Sequence, residues 1–293
     1  MDWPVNFQRR INNPKTMNKQ YNIKKITALV NLLEDENNDI AASAMSELLS
    51  YGKKVGPIIS ELQESSNLLI RRRVHQMQAI IKIRNNRDKL SRRFHNEYSG
   101  LWQGLNELHL LWYDNDNTET LRSLRKEMLE KAAIIKPSTT SKLAELMKSM
   151  AFVCSGKGEI EADFYCIGSV LETKTGVDFI LCSIAMTIAS YYGWKGNIIY
   201  QRRAGYVLLD SFGYKLSPKN WNIGTIAGNK KYEVWTTGML LKHAVFHLYL
   251  CAISSDSIRY VYTIGLCLAK MLDKDDFQEL LPYPFNGKEH SKS

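Results

Sequence analysis

The sequence predicts a mainly α-helical protein that carries a small α+β core. Three observations lead there. Apolar residues recur at helical spacing from residue 20 to residue 192 and again from residue 233. Two short apolar runs, Lys195–Gln201 and Gly205–Asp210, are separated only by Arg202-Arg203-Ala204 and read as paired strands. Two turns in the first third of the chain look like copies of each other, which is the mark of a helical repeat.

Taken in order, Ile26, Leu29, Val30, Leu32 and Leu33 form one helix face, and LLEDENND breaks it. Asp39 can cap a helix from Ile40 to Tyr51, which Gly52 ends, and Pro57 opens the next, Ile58–Gln63. ESSN is a second break before a helix Leu68–Ile83. Leu33–Ile40 and Leu62–Leu69 match at an offset of 29 residues. Each helix pair has a single apolar face and needs a neighbour to bury it, the logic of a stacked repeat.

Residues 96–150 continue as helix, with Leu101, Leu105, Leu108 and Trp112 on one stripe. Asp114–Asn117 is a turn, and Thr118 can cap Glu119–Ala132. Pro137 with Ser138, Thr139 and Thr140 marks a boundary before a helix Ser141–Phe152. Ser155–Gly158 is a loop without the GxxxxGK[ST] frame of a phosphate loop. Helices Phe164–Glu172 and Val177–Tyr192 follow, the second strongly apolar and stopped by Gly193. After the strands, Glu233–Tyr249 and Ile258–Leu272 read as two helices joined by SSDS, and the tail from Lys288 is polar.

The 293 residues carry 39 Lys+Arg against 30 Asp+Glu, a net +9, and the excess is local. Residues 71–93 hold nine basic residues and one acid, residues 1–25 six and one, so these segments carry +13 and the rest of the chain −4. Arg71, Arg72, Arg73, Arg92 and Arg93 are therefore candidate binding residues for an acidic partner or nucleic acid. No zinc finger, RNP-type motif or helix-turn-helix accompanies them, and a solvated helix face explains the same charge. The N-terminus lacks the apolar stretch of a secretory signal, and the apolar run Phe179–Tyr192 is too short to span a bilayer. The five cysteines lack any CxxC spacing and suit reduced, packed thiols. The expectation is a cytoplasmic protein without membrane, metal or cofactor.

The run ADFYCIGSVLETKTGVDFILCSIAMTIASYYGWKG resembles the core of the transglutaminase-like superfamily, and more narrowly its prokaryotic SirB-type branch. VLETKTGV is similar to the turn before that core's central helix. YVLLDSFGYKLS is similar to the strand bearing the family aspartate, and LEDENND…RRRV to its N-terminal repeats. The resemblance implies HEAT-like helical repeats over 20–95, a helical connector over 96–150 and a transglutaminase-like core over 151–228. A tetratricopeptide-like helix pair over 229–280 and flexible tails at 1–19 and 281–293 complete it.

Catalysis in that superfamily joins a cysteine at a helix start to a histidine and an aspartate on strands. The helix dipole acidifies the thiol, the histidine takes its proton, and the carboxylate orients the ring. Here the matching positions are Asp178, Tyr206 and Asp210, so the cysteine and histidine places are vacant. Asp178 at a helix start also reads as an ordinary N-terminal carboxylate. Cys182, one turn on, is a fallback nucleophile that would need His243 or His247. Those two histidines share a helix face at i, i+4, but HAVFH lacks the glutamate of HExxH and no further ligand is spaced to complete a zinc site.

The resemblance thus implies a non-catalytic interaction or scaffold protein with a protein partner. The alternatives are an active cysteine hydrolase or acyl transferase using Cys182, and a nucleic-acid-associated adaptor acting through residues 71–93.

Overall fold

The computed structural model describes residues 17–94, 100–156, 161–226, 231–255 and 257–274. The tail 281–293 and residues 1–16, with much of the N-terminal charge, lie outside them. The chain divides into two compact units at Arg84/Asn85. The connector, core and C-terminal helix pair expected as separate segments fall together in the second.

The first unit holds α1 (Met17–Asn31), α2 (Asn38–Ser50), α3 (Gly56–Glu61) and the start of α4 (Leu68–Phe94). Helices α1 and α3 both tighten into a 3₁₀ turn, Leu32–Glu34 and Leu62–Glu64, before the chain extends. Asn37 Oδ1 then accepts the Asp39 N–H at 2.9 Å, and Asn67 Oδ1 accepts the Leu69 N–H at 2.9 Å. The two turns therefore superpose at an offset of 30 residues, one more than the apolar pattern suggested. The capping side chain, not the first leucine, sets the register. The cap of α2 is accordingly Asn37, and Asp39 lies inside the helix. Leu33, Leu48, Val55, Ile59, Val74 and Met77 form the core of this unit. Helix α4 continues eleven residues past Ile83, because Asn85 and Asn86 are tolerated in a helix whose Leu90 still finds a buried place.

The second unit contains α5 (Leu101–Trp112), α6 (Thr118–Ile135), α7 (Thr140–Ser149), β1 (Val153–Cys154), α8 (Ile167–Thr173), β2 (Thr175–Gly176) and α9 (Asp178–Ser190). These are followed by β3 (Gly196–Gln201), β4 (Gly205–Asp210), β5 (Tyr214–Ser217), β6 (Asn222–Thr225), β7 (Glu233–Trp235), α10 (Thr237–Ser254) and α11 (Ile258–Met271). Strands β1 and β2 form a short parallel pair, and the other five form an antiparallel sheet in the order β6-β5-β4-β3-β7. The hairpin of β3 and β4 is the one the sequence predicts, with Ile199 opposite Val207.

Two expectations are corrected here. Glu233–Trp235 is an edge strand paired with β3, so the helix begins only at Thr237, capped by the Thr236 hydroxyl. Helix α6 is capped by Asn117, whose Oδ1 accepts the Thr120 N–H at 2.8 Å, with Thr118 as its first residue. Helix α9 is apolar on every side, as a central helix must be. Phe179, Ile180, Leu181, Cys182, Ile184, Ala185, Ile188 and Ala189 are buried, and α9 packs on β3, β4, α5 and α7. No helix among the described residues is long and apolar enough to cross a membrane.

Candidate functional site

The N-terminus of α9 meets the start of β4. Val177 enters in extended conformation, so the Asp178 side chain faces the strand and not the helix axis alone. Its Oδ1 accepts the Phe179 N–H at 2.8 Å, and its Oδ2 accepts the Tyr206 N–H at 3.0 Å. Burial raises the Asp178 pKa, and the two backbone N–H groups and Lys219 oppose that rise. Lys219 itself donates to the Ala204 carbonyl at 2.8 Å. The carboxylate thus acts as a tie between helix and strand, and both oxygens are engaged.

Tyr206 is buried, with its ring against Phe179 (5.5 Å between centroids), Trp235 (4.8 Å) and His243 (5.4 Å). Burial beside the Asp178 carboxylate holds its hydroxyl above the usual phenol range, so it does not act as a base at neutral pH. His243 and His247 do share a face of α10, with ring centroids 4.4 Å apart. His247 stacks on Tyr165 at 5.0 Å and His243 meets Phe179 and Trp235 edge-on. Burial, helped by the neighbouring His247, lowers the His243 pKa to about 4. Both imidazoles are therefore neutral members of an aromatic cluster. Among the described residues no group of three or more His, Cys, Asp or Glu side chains is placed to hold a metal.

Cys182 lies one turn inside α9 with no exposed surface, and burial raises its pKa well above that of a free thiol. The rings packed around His243 and His247 are Phe179, Tyr165, Tyr206, Trp235 and Phe246. The half-buried Cys154 on β1 is the more accessible thiol, yet burial and the nearby Asp178 charge raise its pKa to about 11.

Asp210 does not join Asp178 and Tyr206. It ends β4, four residues on from Tyr206, or about 13 Å along the strand. There it is buried, and its Oδ1 accepts the N–H groups of Phe212 (2.9 Å) and Tyr214 (2.8 Å). Its Oδ2 accepts the Thr140 hydroxyl, whose oxygen in turn accepts the Trp194 indole N–H at 3.1 Å. The three matching positions thus separate into a pair and a singleton.

Three of the candidate binding arginines make contacts within the protein. Arg73 is 6% exposed and donates to the Leu33 carbonyl at 2.7 Å, the Asp35 carbonyl at 2.6 Å and Asn38 Oδ1 at 3.3 Å. It closes the turn that follows α1. Arg93 pairs with Glu107 at 2.8 Å, and Arg92 donates to the Asp88 carbonyl at 3.0 Å. Arg72 is exposed and Arg71 half-buried.

Sequence reasoning missed a His–Asp pair whose histidine is buried. His109 Nε2 donates to Asp116 Oδ2 at 2.9 Å, and the ring presses on Gly168, where a Cβ would come within 2.6 Å of that nitrogen. Its Nδ1 is buried without a hydrogen-bond partner among the described residues. The one signal in the sequence is the D-N-D-N turn that begins five residues downstream.

No family model matches the chain, and no curated protein or solved structure matches it either.

Proposed function

We propose that this chain is a non-catalytic interaction protein of cytoplasmic type. In this reading HEAT-like helical repeats precede a degenerate transglutaminase-like core, which a tetratricopeptide-like helix pair completes. The observation that carries the reading is the Asp178 tie. Where such a core presents its nucleophile, this chain has a carboxylate engaged by two backbone N–H groups. The neighbouring strand offers a tyrosine in place of a base.

The packing of Cys182 supports the same reading, since a thiol without surface cannot reach a substrate. Five unpaired cysteines suit a reducing compartment. A protein partner is supported by the rim of the aromatic cluster. Phe246, whose ring meets His247 edge-on at 5.8 Å, is 45% exposed, and an exposed large apolar side chain beside such a cluster suits a protein contact. Catalysis through Cys182 has less support, because the thiol is enclosed. A nucleic-acid adaptor through residues 71–93 has less support too, because Arg73 is buried and Arg93 pairs with Glu107 within the protein.

Quantitative affinity capture tests this reading. Wild type and Cys182→Ser recover the same partner, and Phe246→Asp loses it. Turnover of an amide or ester substrate that disappears in Cys182→Ser overturns it.

A further inference from the structure

At the opposite end of β4 from Asp178 lies a cavity of about 450 Å³, between the first turn of α7 and the β4–β5 turn. Its apolar wall is Trp194, Phe212, Tyr214 and Ile223. Three of these are held unusually open: Phe212 is 85% exposed, Tyr214 49% and Ile223 42%. Large apolar side chains grouped around a concavity mark a binding site more often than a bare surface does.

The turn that presents them is built. Buried Asp210 holds the backbone at Phe212 and Tyr214 and is itself held by Thr140, which Trp194 fixes. Gly213 between the two aromatics has φ +86, a conformation that suits glycine and lets both rings point outward. A buried carboxylate with three donors places the wall before any ligand arrives, and such preorganisation is what a site requires.

The polar groups decide the chemistry of the occupant. Asp210 lines the cavity, but both its oxygens already accept hydrogen bonds. The remaining polar side chains include the exposed Lys195 ammonium, a donor and a positive charge, and the hydroxyls of Ser138 and Ser141, which can donate. The N-terminal N–H groups of α7 add to the same preference.

We infer that this cavity binds a small amphipathic organic anion. The aromatic body packs on Trp194, Phe212, Tyr214 and Ile223, and the carboxylate or sulfonate lies on Lys195 and the serine hydroxyls. The volume is in the range of small-molecule sites, about 300–1,000 Å³. This site is separate from the Asp178 region, and it stands or falls independently of the proposed absence of catalysis.

The probe is anilinonaphthalene sulfonate, an aromatic sulfonate whose fluorescence rises on binding. The full-length protein is expected to bind one equivalent saturably. Lys195→Gln and Phe212→Ala, both at exposed positions, are expected to weaken binding about tenfold each. The neutral phenylnaphthylamine is expected to bind at least tenfold more weakly than the sulfonate. Unchanged thermal melting of both variants excludes a folding defect. Absence of saturable binding overturns the inference. So does wild-type affinity in either variant, or equal binding of the neutral analogue.

Discussion

Asp178 Oδ2 accepts the backbone N–H of Tyr206 at 3.0 Å across 28 residues of sequence, joining the first residue of the central helix to the second residue of β4. In the proposed reading, the contact takes the place of a thiol held against its base. It also explains the glycine beside it. Gly205 has φ +81, and a Cβ there would overlap Asp178 Oδ2.

A first prediction follows from that overlap. Gly205→Ala meets both a left-handed backbone and the carboxylate, and it is expected to cost about 2–4 kcal/mol. Gly193 has the same φ, with nothing within 4 Å of its Cβ, and Gly193→Ala is expected to cost only about 1 kcal/mol. Urea unfolding of both variants measures the difference. Adding Asp178→Ala to Gly205→Ala should recover part of the larger loss, as a double-mutant cycle shows. Equal costs at the two glycines contradict the account.

The second prediction concerns the first unit. Arg73 satisfies two carbonyls and one side-chain oxygen at 6% exposure. Arg73→Ala leaves buried acceptors without donors and is expected to cost about 2–4 kcal/mol. Arg72→Ala, one residue away on the exposed side, should stay within about 0.5 kcal/mol. Thermal denaturation followed by circular dichroism distinguishes them, and similar midpoints would sink the assignment of Arg73 as a structural residue.

A pH dependence is the third. His243 titrates at about 4 in the folded protein, against an ordinary value of 6.5. Between those values the unfolded chain takes up a proton that the folded protein refuses, so stability is full above pH 6.5 and is lost as pH falls toward 4. His247 shifts in the same direction. Asp178, raised by burial, titrates with the opposite sign and does not add to the loss. Urea midpoints of wild type should therefore fall more steeply from pH 6.5 to 4 than those of His243→Phe. Parallel slopes refute the buried, neutral histidine.

Much of this architecture is readable from sequence, for identifiable reasons. The hairpin of β3 and β4 is bounded by turn residues and carries β-branched and aromatic side chains, and the long apolar helix ends at Ser190, shortly before Gly193. What escaped is short or non-local. Strand β7 has three residues, too few to show alternation, and was absorbed into the following helix. Asn37 and Asp39 are equally good caps by residue type, and only the path of the chain through the 3₁₀ turn selects Asn37. Arg73 reads as one of a basic run, because the carbonyls it serves lie 38 and 40 residues upstream. The separation of Asp210 from Asp178 likewise depends on which end of β4 meets α9, and periodicity carries no such information.

The central claim is that the core has no working thiol, and timed alkylation of the native protein tests it most directly. Iodoacetamide is added at neutral pH, and each of the five cysteines is followed by peptide mass spectrometry. The account predicts slow modification at half-buried Cys154 and, at Cys182, no reaction faster than global unfolding and none faster than free cysteine. Rapid, stoichiometric alkylation of Cys182 in the folded protein would contradict it.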